Sequence, residues 1–365
     1  MSPQQEYTNA WSDLSQAVMD ESMLQMRRMS KLPGVLEKAK KTSKGASKSE
    51  VVHQDGRVKL LHYVSDEPPK YRQPLLFVFA LVNRPYILDL MPGKSVVEHF
   101  VKAGFDTYLV DWGKPTHADR NESMDTYVNG YIPRIVNHLE HRCDVKQVNI
   151  LGYCMGGTLS SMYTALHPKQ VRNLILLAAG IDFSTREGLL NLWSDKENFD
   201  VDGFVDAFGN CPAEFLQWSF LMLNPVQNLM QKPISFLERI EDDKFVNNFL
   251  TMETWLNDNI AVPGEVYREF VKYLYQQNQL TNGELTINSK RVDLKQITCP
   301  VLNLMARRDD LVPCAQSEPF NDLVGSSDRK SIKLDAGHIG LAVGSRAQRE
   351  LWPEAVKWLA ERTET

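Results

Sequence analysis

The chain has 365 residues, 43% of them hydrophobic and 24% charged, with a formal net charge of −5. That ordinary globular composition suits one large domain with an insertion, or two domains, and argues against nucleic acid as a main partner. No run of about 18 apolar residues occurs, so no membrane span is expected, and the polar start MSPQQEYTNAWSDLSQ lacks the basic-then-apolar plan of a signal peptide.

Residues 1–50 stand apart from the rest. Trp11, Leu14 and Val18 have helical spacing, and Met19, Met23, Met26 and Met29 follow. EKAKKTSKGASKSE then reads as a basic, flexible linker. Two readings stay open for this segment: a helix packed loosely on the core beside a solvated charge run, or a docking segment for a partner or an apolar surface. From Arg72 an alternating α/β pattern begins. PLLFVFALV reads as a short all-apolar strand, suited to a sheet covered on both faces. SVVEHFVKAG predicts a helix ending at Gly104, DTYLVDWG a strand, and MDTYVNGYIPRIVNHLEHR a helix broken near Pro133. QVNILG is a predicted strand, MGGTLSSMYTALHP a helix stopped by Pro168, and VRNLILLAAG another strand. Strands separated by helices imply a doubly wound, mostly parallel sheet.

After Gly180 the alternation stops. Residues 181–290 are rich in aromatic side chains at helical spacings, such as Tyr267, Phe270 and Leu274, and read as a helical cap insertion. The α/β pattern resumes with CPVLNLMARRDD, RKSIKLDAGH and the terminal helix RELWPEAVKWLAER. Four parts result: an N-terminal segment 1–50, a first core part 51–180, the cap 181–290 and a second core part 291–365.

The stretch with chemical promise is NILGYCMGGTLSSMYTALHP, from Asn149 to Pro168. Gly152-Tyr153-Cys154-Met155-Gly156 places a thiol between a predicted strand and a predicted helix. A nucleophile there sits on a sharp, strained turn, and the flanking Gly152 and Gly156 let the backbone close without a Cβ clash. The partial positive charge of a helix N-terminus favours a thiolate. The plain alternative is a buried structural cysteine in a tight turn. The five cysteines (Cys143, Cys154, Cys211, Cys299 and Cys314) include no C-x-x-C pair, so no metal site and no disulfide framework is expected, and a reducing cytoplasm is the simplest setting.

A nucleophile needs a base, and the base needs an orienter. His338, in LDAGHIG, directly follows the predicted strand SIKL. The other histidine after Cys154 is His167, which closes the nucleophile's helix and points away. Asp309 and Asp310 follow the apolar run Val301 to Met305; one of them would hold the tautomer of His338 while the other faces solvent or caps the loop. An oxyanion hole requires two N–H donors, for which Met155 and Val82, with Asn83 as the alternate to Val82, are the candidates. Asn83-Arg84-Pro85 also reads simply as a turn.

With these residues in place the chain resembles the polyhydroxyalkanoate synthases, within the α/β-hydrolase superfamily. FALVNRPYILDLMPGKSVVEHF, YLVDWG, GYCMGGTLSSMYTALHP, VRNLILL, DAFGNCP, VDLKQITCPVLNLMARRDDLVP and GHIG look like that family's sequence blocks in order, over roughly residues 50 to 365. The length resembles the short catalytic subunits that work with a second, non-catalytic protein; TYVNGYIPRIVNHL and NCPAEFLQWSFLMLNP look closer to the short type from photosynthetic bacteria, while GYCMGGTL also suits the short type from bacilli. The resemblance implies an α/β-hydrolase fold and an acyltransferase. Cys154 would take the acyl group of an (R)-3-hydroxyacyl-coenzyme A, most simply (R)-3-hydroxybutyryl-coenzyme A, with His338 as base and Asp309 either supporting His338 or helping to activate the 3-hydroxyl. No cofactor is implied, since coenzyme A is part of the substrate and a product. A homodimer in the cytoplasm, at the surface of polyester granules, is implied as well. The chain departs from the family where Asp-His is usual and Asp309-Asp310 stands. Two other readings are a cysteine-dependent hydrolase or small-molecule acyltransferase on the same fold, and a non-catalytic granule-associated scaffold.

Overall fold

The computed structural model describes residues 3–40 and 44–365. The side chains of Trp11 and Leu14, and residues 41–43 of the expected linker, lie outside the described residues. Two compact units are present: one takes the chain up to Ser43 with Asn224–Asn257, the other takes Lys44–Leu223 with Asp258–Thr365.

The smaller unit is helical, with helices Pro3–Ser30, Leu32–Lys40, Lys232–Glu238 and Asp243–Asn257. Val35, Ile240 and Val246 are buried together, with Leu32, Phe236 and Leu250 packed around them. Ion pairs join Arg27 to Glu241 at 2.7 Å and Lys38 to Asp243 at 2.6 Å. The stretch read from sequence as one insertion over 181–290 is therefore divided. Its middle, Asn224–Asn257, belongs to this unit because Ile240 and Val246 find apolar partners on the helix that carries Leu32 and Val35.

The larger unit is built on strands β1 (Ser49–Asp55), β2 (Val58–Tyr63), β3 (Leu75–Val78), β4 (Asp89–Met91), β5 (Lys94–Ser95), β6 (Thr107–Asp111), β7 (Val148–Tyr153), β8 (Val171–Leu177), β9 (Thr286–Ile287), β10 (Lys290–Arg291), β11 (Val301–Ala306) and β12 (Arg329–Leu334). Eight of them form one sheet in the order β1-β2-β6-β3-β7-β8-β11-β12, with β4/β5 and β9/β10 as two small separate pairs. From β6 to β12 every neighbouring pair is parallel; β2 joins β6, and β1 joins β2, antiparallel. The doubly wound sheet expected from the alternation is present. The β1–β2 hairpin was not expected: β1 is largely exposed and shows no apolar run, and only the Asp55-Gly56 turn, with Gly56 at φ 59°, marks it.

Two departures have local causes. PLLFVFALV gives a strand only over Leu75–Val78, because the chain then peels off the sheet and the carbonyl of Phe79 accepts from Trp112 Nε1 at 2.9 Å. Ahead of Pro133 the predicted helix is a wide π-type turn, Thr126–Tyr131, running into the α-helix Ile132–Arg142. Proline has no N–H for the carbonyl four residues back, and the preceding turn widens. The same arrangement recurs at Val226–Gln231 before Pro233 and at Ala347–Leu351 before Pro353. Among the described residues, no helix is long and apolar enough to cross a membrane.

Candidate active site

β7 is buried along its whole length and ends at Tyr153; the helix Met155–Leu166 begins two residues later. Cys154 joins them at φ 54°, ψ −127°, a conformation that costs a side-chain-bearing residue energy and is held by its surroundings. Its N–H donates to the Leu177 carbonyl at 2.8 Å, which ties the turn to β8, and its own carbonyl accepts from the N–H groups of Gly157 and Thr158. The glycines have specific work. A Cβ at Gly156 would strike the carbonyl oxygens of Val78 and Phe79, and one at Gly152 would strike Gly157 and the Ser160 hydroxyl. The turn is thus pressed against the end of β3 and onto its own helix, leaving the Cys154 side chain partly exposed at the carboxyl edge of the sheet.

His338 follows β12 and opens the short helix His338–Val343. Its Nδ1 lies 2.8 Å from Asp309 Oδ2; the histidine side chain is 12% exposed and the aspartate side chain 0%. Asp309 turns inward because its Oδ1 accepts from the N–H groups of Leu311 at 2.9 Å and Val312 at 2.8 Å. Asp310 is exposed, so of the two candidates only Asp309 meets the imidazole. Cys154 hydrogen-bonds the same ring. Burial pulls the imidazole down, but the charges of Asp309 and Cys154 outweigh burial and push it up to about 10. The ring also stacks on Tyr153, centroids 5.1 Å apart, and the Tyr153 hydroxyl donates to the His338 carbonyl at 3.4 Å. His167 lies elsewhere, stacked on Tyr163 with Nε2 3.3 Å from Asn129 Oδ1.

Met155 is the first residue of its helix, so its N–H has no acceptor inside the helix. Val82, half-buried, and Asn83, buried at φ 63°, lie on the loop that leaves β3. An ion pair of 2.8 Å between Arg84 Nη2 and Asp111 Oδ2 holds this loop to the end of β6. Asn83 Oδ1 is buried without a hydrogen-bond partner among the described residues.

Two aromatic residues at the site escape sequence reading. Tyr153 is masked by its place inside the glycine motif, where any residue type fits the pattern. Tyr275 lies in the stretch Phe270–Gln276, far from the motif in sequence, and no pattern announces it. Burial, followed by the charges of Cys154 and Asp309, holds both phenols above their ordinary value.

Residues 74–345 match the family described as alpha/beta hydrolase fold, and residues 20–100 match the family described as Poly-beta-hydroxybutyrate polymerase (PhaC) N-terminus. The chain is 45% identical over 329 residues to the poly(3-hydroxyalkanoate) polymerase subunit PhaC of Haloferax mediterranei, covering 90% of this chain and 67% of that one. It is 42% identical over 320 residues to the subunit of the same name from Allochromatium vinosum, covering 87% of this chain and 90% of that one. Among solved structures, a monoacylglycerol lipase from Paleococcus ferrophilus is similar with a TM-score of 0.52 at 15% identity, covering 82% of this chain and 99% of that one, a likeness of fold alone. The eight-stranded sheet, the turn at its carboxyl edge and the extent of these matches place the chain in the α/β-hydrolase superfamily and, within it, in the poly(3-hydroxyalkanoate) polymerase subunit family.

Proposed function

We propose that this chain polymerises (R)-3-hydroxyacyl-coenzyme A, with (R)-3-hydroxybutyryl-coenzyme A as the simplest monomer, into polyhydroxyalkanoate through a thioester on Cys154. The observation that carries the reading is the imidazole of His338, fixed at 2.8 Å by buried Asp309 and hydrogen-bonded to a thiol on a strained turn. In the loading step Cys154 Sγ attacks the thioester carbonyl. The new C–S bond replaces the bond to coenzyme A, and the departing thiolate takes the proton held on His338. In the extension step the 3-hydroxyl of the next monomer gives its proton to His338 and attacks the acyl carbon on Cys154. The C–O bond forms, the C–S bond breaks, and the lengthened chain, now a coenzyme A thioester, reloads Cys154 with release of coenzyme A. The N–H groups of Met155 and Val82 receive the oxyanion. The first step exchanges one thioester for another and is nearly balanced; the second makes an ester and runs downhill. The rings of Phe183, Phe270 and Tyr275 keep water from competing with the hydroxyl.

The relatives are named polymerase subunits. A second, non-catalytic subunit, a homodimer of this chain and a cytoplasmic place at the granule surface complete the reading. The pure chain, with and without that subunit, is incubated with (R)-3-hydroxybutyryl-coenzyme A while free thiol and insoluble polymer are followed. Thiol release with polymer is the expected result. Thiol release without polymer under both conditions would mean a hydrolase or a small-molecule acyltransferase instead.

A further inference from the structure

We propose that His53 and His138 form a pH-sensitive latch on β1: as neutral rings they hold this edge strand to the helix Ile132–Arg142, and a proton on either ring parts them. The inference lies outside the catalytic site and does not depend on the polyester reading.

β1 stands at the edge of the large sheet, paired on one side only, and its side chains are largely exposed. Its register with β2 shifts between Val51, opposite Leu61, and His53, opposite Leu60, so two steps of β1 match one step of β2. A bulge of this kind re-aims the side chain that follows it. Here it puts His53 on the side of the buried Leu60 rather than on that of Leu61. The ring meets His138 of the helix Ile132–Arg142, with centroids 4.7 Å and planes 30° apart. In both rings Nε2 is buried and, among the described residues, has no hydrogen-bond partner.

An imidazolium carries an N–H on each nitrogen. A protonated ring in this stack would therefore bury a charged donor that faces no acceptor. The surrounding groups do not relieve it. On the helix, the charges of His141 and Arg142 oppose a proton on His138, Arg134 is held by Asp55 at 2.6 Å, and Glu140 accepts from Gln170. On β1, Glu50 lies 3.4 Å from His62 Nδ1 and 3.9 Å from Arg142 Nη2. On β2, His62 is taken by Asp106 at 2.8 Å, and Lys59 stands opposite Gln54, next to His53. Burial, followed by the charge of His53, holds His138 below its ordinary 6.5. The closed stack thus refuses protons that an open one accepts, and acid favours opening.

The size of the effect follows from linkage. An imidazole that is neutral when closed and has its ordinary 6.5 when open makes opening about tenfold more favourable between about pH 7.5 and about pH 5.5. His62 does not mimic this, because its bond to Asp106 raises it, and that pair keeps its charge as the pH falls.

The test is native-state hydrogen exchange of the full chain at those two pH values, corrected for the intrinsic exchange rate, with β7 as the internal reference. Protection of Ser49–Asp55 relative to β7 should fall about tenfold or more on acidification. His138→Phe keeps a ring against His53 without the proton, and should remove about tenfold of that response. Constant protection of β1 in the parent would overturn the proposal, as would an equal loss in β7 or a variant that opens with acid as much as the parent. If His138→Phe does not fold, His53→Phe is held to the same criterion.

Discussion

At the carboxyl ends of β7, β11 and β12, an imidazole stands between an aspartate and a cysteine; at the opposite edge of the same sheet, an aspartate stands between an imidazole and a cysteine. In the first group Asp309 takes Nδ1 of His338, and Cys154 bonds the same ring. In the second, Asp106 accepts from His62 Nε2 at 2.8 Å, from the Tyr108 hydroxyl at 2.8 Å and from Cys143 Sγ at 3.5 Å. Burial and the Asp106 charge push the Cys143 thiol up to about 11. The helix ends add to the contrast. Cys154 precedes the helix Met155–Leu166, where the backbone dipole is positive, and Cys143 follows the helix Ile132–Arg142, where it is negative. The same three residue types thus give opposite chemistry. A central imidazole can pass a proton between thiol and substrate, whereas a central carboxylate holds the thiol protonated and ties strands together.

The largest expected effect separates the two thiols. Cys154→Ser should lower coenzyme A release about 10³-fold or more, because a hydroxyl is a far weaker nucleophile than sulfur in the same place. Cys143→Ser should leave the rate within about twofold, and comparable losses in both variants would erase the distinction. Next come the neighbouring aspartates. Asp309→Asn should cost about 10²- to 10⁴-fold in turnover by releasing the His338 tautomer, with Asp310→Asn inside about threefold. A reversed ranking would show that Asp310 turns inward in the working enzyme.

The smallest effects are on stability, and they fall at opposite ends of the pH scale. His338 is raised from 6.5 to about 10, so its contribution is full below pH 6.5 and is lost as pH rises through about 10. The gap in melting midpoint between the parent and His338→Gln should therefore close over that window. Asp106 is lowered from 3.8: burial opposes its charge, but the bonds from His62 and Tyr108 prevail. Its contribution is present above pH 3.8 and fades as pH falls below it, so the gap between the parent and Asp106→Asn should close on the acid side. Gaps that stay constant with pH would mean that packing, not charge, carries both groups.

Much of this is legible in the sequence itself. The alternation of strands and helices, the glycines around Cys154 and the order Cys154, Asp309/Asp310, His338 are properties of short contiguous stretches, and each stretch dictates its own backbone. The β1–β2 hairpin was not legible because an edge strand needs no apolar run, and its exposed side chains look like the linker before it. The split of the helical insertion was hidden for another reason. Which apolar face Ile240 and Val246 cover depends on a helix at the other end of the chain.

The site shows the same boundary at atomic scale. That a strained turn would hold a thiol follows from Gly152 and Gly156, since only a missing Cβ permits contact with Val78, Phe79 and Gly157. That Asp309 rather than Asp310 would meet His338, and that Tyr275 would pack on Phe183, does not follow from any local stretch. Two adjacent carboxylates have the same composition and differ only in the direction the folded loop gives them. A phenol carried by a distant helix acquires its place only when Asn278 and Phe183 fasten that helix to the segment that follows β8.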